Sequence, residues 1–204
     1  QIADQVSVAL SNSSLVTALK KLNLGTLEAL ARTVDAKSTW TAGHSERVTL
    51  LSVKIAQVLG WDEKQLESMK RGAYLHDIGK IGIPLSILDK PGRLTEEEYE
   101  IVKDHPEIGA RILEPIEAYA DVIPMVLQHH EKYNGKGYPH GIAGEEISMG
   151  ARIMAVADVY DAVASDRPYR QGWIEEKAIS MIKEESGEHF DPQVVDAFLT
   201  AISE

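Results

Sequence analysis

The chain has 204 residues, no cysteine and a formal net charge of −11. This length suits one domain with a full hydrophobic core plus an appendage, and the acidic balance argues against polymeric DNA or RNA as a partner, because those need a basic surface. Without cysteine there is no disulfide framework, thiolate zinc site or iron–sulfur cluster. The start lacks a signal peptide, and no apolar run is long enough for membrane insertion. We expect a cytoplasmic protein and, since position 1 is not Met, a piece of a longer one.

The spacing of apolar residues predicts helices along most of the chain. Apolar residues recur at steps of three to five from Leu15 to Val34, which indicates one or two amphipathic helices. Thr95 begins a capping box, and Asp191-Pro192 supplies an N-cap with proline in the first turn. Further helices are predicted over 48–59, from 62 to 77, from 95 toward 113, over 118–130, 152–164 and 175–185, and after 191. Residues 81–93 and 131–149 are predicted to be irregular; because no strand pattern occurs, the fold class is all-α.

Five histidines and two aspartates stand out because each lies in an apolar helical context. They are His44, His76, Asp77, His105, His129, His130 and Asp158. Imidazole and carboxylate are the ligands that borderline and hard divalent cations choose, and a shared metal removes the cost of burying such groups unpaired. Ligands from several separated helices can converge only in the core of a helical bundle. The alternative, that each histidine is a hydrogen-bonded core residue, accounts for one or two of them but not for the whole set.

A series of short segments, in this order and with this spacing, resembles the HD-GYP domains, a branch of the HD metal-dependent phosphohydrolases. The segments lie at 43–48 (GHSERV), 76–84 (HDIGKIGIP), 90–92 (KPG), 105–109 (HPEIG), 129–131 (HHE), 134–139 (NGKGYP), 157–162 (ADVYDA), 165–170 (SDRPYR) and 189–192 (HFDP). The resemblance covers roughly residues 25 to 200. It implies a helical bundle with a metal site in its core, in a catalytic domain at 25–204 that follows an N-terminal helical linker at 1–24.

The resemblance also implies how the seven ligands divide between two divalent transition-metal ions. One ion would be held by His44, His76, Asp77 and Asp158, and the other by Asp77, His105, His129 and His130, so that Asp77 bridges the pair. Nitrogen and oxygen ligands suit iron, manganese, zinc or nickel, and the resemblance favours iron or manganese. Some family members add a third metal through a Glu four residues before the first histidine. Trp40 stands there and cannot be a ligand, which favours the two-metal interpretation.

The resemblance assigns substrate contacts to basic residues and to one loop. Lys80 would contact phosphate and act with Asp77 in catalysis, and Arg167 and Arg170 would bind phosphate in a bidentate manner. The alternatives are a solvated lysine and a surface ion pair. The Gly137-Tyr138-Pro139 loop would border the active site, where Tyr138 packs on a base, contacts a partner or anchors the loop. Glu131 is expected to orient a ligand, His140 to be solvated, and His189 to be a capping or core residue.

The implied activity is hydrolysis of cyclic di-GMP to linear pGpG, with GMP as a further product. Two alternatives stay open: a phosphodiesterase for another cyclic dinucleotide such as 3′,3′-cGAMP, and a non-catalytic receptor that binds the dinucleotide as a signal. The complete ligand set favours catalysis, and the Gly-Tyr-Pro loop favours a cyclic dinucleotide. The expected partners are a diguanylate cyclase domain, bound through that loop, and a second copy of the chain, paired through the N-terminal helix.

Overall fold

The computed structural model describes residues 2–38, 42–166 and 171–203. In that part of the chain all regular structure is helical, and the only β-type pairing is an isolated bridge between Ser186 and Phe190. The predicted all-α class is therefore confirmed. The α-helices are α1 Ile2–Asp35, α2 His44–Val58, α3 Glu63–Leu75, α4 Leu85–Leu88, α5 Glu96–Lys103, α6 His105–Leu113, α7 Ile123–Gln128, α8 Met149–Ala164, α9 Glu175–Glu184 and α10 Pro192–Ser203. Short 3₁₀ helices span Ile78–Gly82, Glu117–Tyr119 and Gly144–Glu146.

Several predicted boundaries need correction. The capping box at Thr95 is present, but α5 ends at Lys103 and α6 starts at His105, because Pro106 has no N–H with which to continue α5. The helix expected over 118–130 is shorter for a related reason: α7 begins only at Ile123, with proline in its first turn. The region 81–93 is less irregular than predicted, since it contains the end of a 3₁₀ helix and all of α4.

The main hydrophobic core lies between α2, α3, α8, α9 and α10. Val48, Met69, Ile153, Ile182 and Phe198, one from each of these helices, are fully buried. Burying a side chain of this size stabilises the fold by roughly 1.5–3 kcal/mol. This core fixes the positions of α2, α3 and α8, the helices that carry the first predicted ligands.

A close backbone contact joins the 3₁₀ helix Ile78–Gly82 to α6. A Cβ added at Gly79 would lie 1.9 Å from the carbonyl oxygen of His105 and 2.5 Å from the backbone nitrogen of Gly109. Since no real side chain fits in that space, only glycine allows this approach. The contact brings Asp77, which immediately precedes the 3₁₀ helix, next to His105.

The N-terminal helix α1 is continuous, and its C-terminal part, from Leu27 onward, packs on the domain. Residues 11–26 are exposed, and Leu27, Ala31 and Val34 are buried. The expected boundary between residues 24 and 25 therefore falls close to this change in burial, inside an unbroken helix. None of the described helices combines the length and the apolar character needed to cross a membrane.

Candidate metal centre and active site

The structure brings all seven predicted metal ligands together, mostly at helix ends. His44 is the first residue of α2, directly after Gly43, whose φ of 70° lies in the left-handed region that favours glycine. His105 is the first residue of α6. Of the other five, His76 and Asp77 follow α3, His129 and His130 follow α7, and Asp158 lies inside α8.

The first group contains His44, His76, Asp77 and Asp158. Nε2 of His44 lies 3.2 Å from Oδ1 of Asp158 and 3.8 Å from Oδ2 of Asp77. Nε2 of His76 lies 3.4 Å from the same Oδ2 of Asp77. One ligand atom from each of His44, His76 and Asp77 lies within 4.8 Å of the others, a spacing that can surround one cation.

The second group contains His105, His129 and His130, whose ligand atoms also lie within 4.8 Å of one another. Nε2 of His105 lies 3.3 Å from Nε2 of His129 and 3.4 Å from Oδ1 of Asp77. The two oxygens of Asp77 therefore face different groups: Oδ2 faces the first and Oδ1 faces the second. This is the arrangement that a bridging carboxylate requires.

Backbone carbonyls orient three of the histidine rings. Nδ1 of His76, His105 and His129 each lies 2.7 Å from the carbonyl oxygen of the residue three positions earlier. A carbonyl oxygen only accepts, so each Nδ1 carries the hydrogen, and each Nε2 is left with a lone pair that points to the centre. Fixing the tautomer through the second ring nitrogen is typical of metal-binding histidines.

His44 is oriented by a carboxylate that the sequence analysis missed. Its Nδ1 donates to Oδ2 of Asp161 at 2.7 Å, and Asp161 also accepts from Nε and Nη2 of Arg47, at 2.6 and 3.0 Å. Asp161 follows Asp158 by three residues in α8, so the two share a face of the helix, and that spacing was the available signal. A carboxylate behind a histidine raises the basicity of the nitrogen that faces the metal.

Two buried atoms test whether the residues fit a cation. Nε2 of His76 and Oδ1 of Asp77 are buried and, among the described residues, have no hydrogen-bond partner. Leaving one such atom unsatisfied costs about 1–3 kcal/mol. The Nε2 lone pairs of His105 and His129 also face each other across 3.3 Å, which is repulsive without a cation between them. The donor set therefore fits divalent cations.

The electrostatics keep most of these groups ready to bind a metal. Burial lowers the pKa of His105 to about 4 and that of His130 to about 3, so both rings are neutral at pH 7. Burial opposes charge on Asp77 as well, but Lys80 and the surrounding histidines hold the pKa of this carboxyl well below its usual range. His44 differs: although burial lowers its pKa, hydrogen bonds to Asp158 and Asp161 outweigh that effect and raise the pKa to about 10.

Four of the seven candidate ligands, His44, His105, His130 and Asp158, line an open cavity of about 840 Å³, a volume within the range of small-molecule sites. Lys80 stands at its edge, where its Nζ donates to Oδ2 of Asp77 at 2.5 Å. Lys90 lies on the same wall. Apolar side chains cover much of the remaining surface, namely Ile87, Leu88, Leu94, Val102 and Val159.

The Gly-Tyr-Pro loop closes one side of this cavity. A Cβ at Gly137 would lie 2.2 Å from the backbone nitrogen of Lys132, so the loop needs glycine there. The Tyr138 ring stacks on His130, with centroids 4.8 Å apart, and lines the cavity. The expectation that Glu131 orients a metal ligand is wrong. Its Oε1 accepts from the backbone N–H groups of His140 and Gly141, which holds the loop in place.

The remaining predicted residues divide into three cases. Arg167, Arg170 and Trp40 lie outside the described residues. The side chain of His140 is exposed, as expected for a solvated residue. His189 stacks on Phe190, with centroids 4.3 Å apart, consistent with a packing role.

Comparison with known proteins identifies the family. A model of the HD domain family matches residues 28–194, which is most of the chain. The chain belongs to the HD-domain family. Its relatives place it in the HD-GYP branch. This HD domain is 42% identical over 176 residues to the cyclic di-GMP phosphodiesterase response regulator RpfG of Xanthomonas campestris pv. campestris. The match covers 85% of the chain and 47% of RpfG.

Two further matches extend this result. The HD domain is 40% identical over 175 residues to the 3′3′-cGAMP-specific phosphodiesterase 3 of Vibrio cholerae, covering 86% of the chain and 38% of that protein. The structure of Bd1817, an HDG"Y"P protein from Bdellovibrio bacteriovorus, superposes with a TM-score of 0.64 at 25% identity, covering 79% of this chain and 52% of the other. The chain thus spans about half the length, or less, of the curated relatives it matches.

Proposed function

We propose that this HD domain is a metal-dependent phosphodiesterase that hydrolyses cyclic di-GMP to linear pGpG, with GMP as a further product. The observation that carries the proposal is the convergence of all seven candidate ligands beside an 840 Å³ cavity, which four of them line, with Lys80 at its edge. A mononucleotide would occupy only part of that volume. The similarity to proteins named as cyclic di-GMP phosphodiesterases supports this substrate class.

The ligand set supports a pair of divalent cations, iron or manganese, bridged by Asp77. His44, His76 and Asp158 would complete one coordination shell, and the second would contain the three histidines His105, His129 and His130. When bound, the two cations supply a hydroxide near neutral pH and neutralise charge on the phosphoryl oxygens. The buried Nε2 of His76 and Oδ1 of Asp77 would then no longer lack a partner.

The remaining side chains bind and orient the substrate. Lys80 would contact a phosphoryl oxygen and donate a proton to the departing ribose oxygen. Its ammonium donates to the Asp77 carboxylate at 2.5 Å. Tyr138 presents a ring to the cavity, so it can pack on a base or a ribose. Arg167 and Arg170 follow α8 in sequence and would bind phosphate; Arg167→Ala or Arg170→Ala should mainly raise KM.

The second candidate substrate is 3′,3′-cGAMP. It is favoured by the relative named for that compound, which is about as similar to this chain as the cyclic di-GMP relative. A receptor without catalysis is the third possibility. The complete ligand set argues against it, because a binding role alone requires no paired metal ligands.

A substrate panel tests the proposal. Protein loaded with Fe²⁺ or Mn²⁺ is incubated with cyclic di-GMP, 3′,3′-cGAMP and cyclic di-AMP, and the products are separated by chromatography. We expect pGpG from cyclic di-GMP at the highest kcat/KM. Faster turnover of 3′,3′-cGAMP would transfer the assignment to the second candidate, and binding without turnover would transfer it to the receptor.

Metal analysis of two variants tests the bridging role. Asp77→Ala should lose both cations and all activity, whereas Asp196→Ala, which changes an exposed aspartate of α10, should lose neither. A full pair of cations in Asp77→Ala would contradict the bridge. Activity that survives exhaustive chelation would contradict the mechanism.

Pairing with a second copy through α1 is also proposed. Leu15, Leu19 and Leu22 are 59, 63 and 67% exposed and recur at heptad spacing on one face. Leu19→Glu should give monomers by light scattering at a concentration where the parent protein is a dimer. Leu50→Glu is the matched control, since Leu50 is 60% exposed but lies on α2. An unchanged mass for Leu19→Glu would rule out this interface.

Two further proposals concern a partner domain and the cellular location. A diguanylate cyclase domain would contact the exposed part of the Gly-Tyr-Pro loop at Lys136 and His140, because Tyr138 faces the cavity. Lys136→Glu should weaken capture of such a domain, and equal capture would contradict the contact. The cytoplasmic location is a prediction that cell fractionation can check.

A further inference from the structure

Lys37 lies just beyond the end of α1, and its side chain reaches the segment that carries Lys80. Its Nζ donates to three backbone carbonyls, those of Lys80, Ile81 and Ile83, at 2.8, 2.7 and 2.7 Å. An ammonium group has three N–H donors, so these three bonds use its full capacity. The contacted oxygens belong to the last residues of the 3₁₀ helix Ile78–Gly82 and to Ile83, which follows it, and a cation is favourable at this end. The Lys80 carbonyl also accepts from the backbone N–H of Ile83, at 3.1 Å.

The hydrophobic core does little to hold this segment. Ile81 is 55% exposed, Gly82 has no side chain, and Pro84 and Leu85 are exposed, so between residues 81 and 86 only Ile83 is buried. Gly79 packs on α6 near the start of the 3₁₀ helix, whereas the position of its C-terminal end depends on polar contacts. Lys37 provides three of these, from an element outside the helix.

The same 3₁₀ turn sets the position of the Lys80 ammonium relative to the metal ligands. The backbone N–H of Lys80 donates to the carbonyl of Asp77 at 2.9 Å, and its Nζ donates to the Asp77 carboxylate at 2.5 Å. The carbonyl of Lys80 accepts from Lys37 at the opposite end of this turn. A shift at that carbonyl moves the Lys80 side chain over the cavity.

The neighbours of Lys37 contact other walls of the same cavity. Asp35 accepts from the backbone N–H and the hydroxyl of Ser45, at 3.2 and 2.7 Å, one residue after His44. Ser38 donates its hydroxyl to Asp89 at 2.7 Å, next to Lys90 in the cavity wall. The end of α1 is thus a fixed part of the site, which gives Lys37 a rigid base.

We propose that Lys37 is a positioning residue for Lys80. It keeps the three carbonyls at the end of the 3₁₀ helix in place and thereby holds the Lys80 ammonium at the distance that proton donation requires. The kinetic part of this inference rests on the proposed function. Because Lys37 does not line the cavity, its loss should change kcat and leave KM nearly unaltered; a misplacement of about 1 Å can cost on the order of 10²-fold in rate.

The test compares three variants by kinetics and by hydrogen exchange. Lys37→Met keeps an apolar stem without donors, Lys37→Arg keeps charge and donors, and Lys20→Met is the matched control on the exposed part of α1. Lys37→Met should lower kcat by roughly 10- to 100-fold, with KM within about twofold of the parent, and should speed exchange of the Lys80 and Ile83 amides. Lys37→Arg should recover most of both properties, and Lys20→Met should change neither.

Two results would overturn the proposal: parental kcat in Lys37→Met, or a lower kcat with unchanged amide exchange over residues 78–83. If Lys37→Met does not fold, Lys37→Gln is judged by the same criteria. A parent protein that hydrolyses no cyclic dinucleotide would refute the proposed function, but the exchange measurement would still decide whether Lys37 holds the 3₁₀ helix.

Discussion

Replacing Asp161 with Asn tests how far the first proposed metal site depends on a residue that is not itself a proposed ligand. In the folded protein the Asp161 carboxylate accepts four hydrogen bonds, one from Nδ1 of His44, two from Arg47 and one from the Ser165 hydroxyl. Asn has nearly the same shape but only one acceptor oxygen. Its NH₂ group must face either the His44 N–H or the Arg47 guanidinium, and both are donors, so at least one contact becomes repulsive.

Two general magnitudes indicate how large the loss of metal affinity should be. Loss of a partner behind a metal-binding histidine typically costs 10- to 100-fold in metal affinity, or about 1.4–2.7 kcal/mol. A hydrogen bond to a charged group contributes about 1.5–3 kcal/mol, which agrees. We therefore expect roughly 10- to 100-fold weaker binding at the first site. The second site should change less, because none of the contacts described for Asp161 involves His105, His129 or His130.

A proton competes with the cation for His44, and this competition predicts a specific pH dependence. In the metal-free protein Asp158 and Asp161 raise the pKa of His44 to about 10, so binding near pH 7 must displace a proton. Asp161→Asn removes one cause of that raised pKa and so weakens the competition most at low pH. The loss of affinity should therefore be larger at pH 8.5 than at pH 6.5.

Mn²⁺ titration against a chromophoric chelator at the two pH values measures both quantities. Asp121→Asn is the matched control, since Asp121 also pairs with an arginine, Arg71 at 2.7 Å, but lies outside the metal centre. Equal affinities for Asp161→Asn and the parent at both pH values would refute the reasoning. An equal loss in Asp121→Asn would show that the effect is a general one.

Three further predictions follow from the described contacts. Urea unfolding of the metal-free protein should show the greatest stability near pH 6.5. The folded pKa of His105 is lowered to about 4, so its contribution to stability is lost as the pH falls below 6.5, whereas the folded pKa of His44 is raised to about 10, so its contribution is lost as the pH rises toward 10. A flat stability profile from pH 4 to 10 would contradict both signs. Lys80→Ala should lower kcat by roughly 10²–10⁴-fold, and an effect on KM alone would make Lys80 only a binding residue. Gly137→Ala should displace the Gly-Tyr-Pro loop and lower kcat/KM. Gly25→Ala, where an added Cβ meets nothing within 4 Å, should leave activity unchanged and raise the melting temperature. Equal activity of the two variants would contradict the packing argument.

Short-range features of this fold were readable in the sequence. The capping box at Thr95 marks a helix start because its effect depends on residues only a few positions away. The break before His105 was missed, since the apolar pattern continues across it and Pro106 acts only on the backbone. The candidate metal ligands could be selected from the sequence because imidazole and carboxylate groups in apolar surroundings point to a metal wherever they occur.

Contacts across long sequence separations were not readable. Asp161 and Arg47 are 114 positions apart, and no residue pattern in either segment indicates that the two side chains pair. Lys37 was missed for a different reason: its partners are backbone carbonyls, which every residue has, so no residue type marks them. Glu131 was misinterpreted because its neighbours in sequence are ligands, whereas its partners are amides nine and ten positions later.

The contact at Gly79 sets the spacing between the two groups of candidate metal ligands. Main chain touches main chain there, so the separation between the two ligand groups does not depend on the length of any side chain. A substitution at a ligand changes how tightly one cation is held. A methyl group at residue 79 would instead move α6, together with His105, away from Asp77 and alter how far apart the proposed cations sit. Gly79 therefore sets the spacing that the proposed pair of cations would have, although it is not itself a ligand.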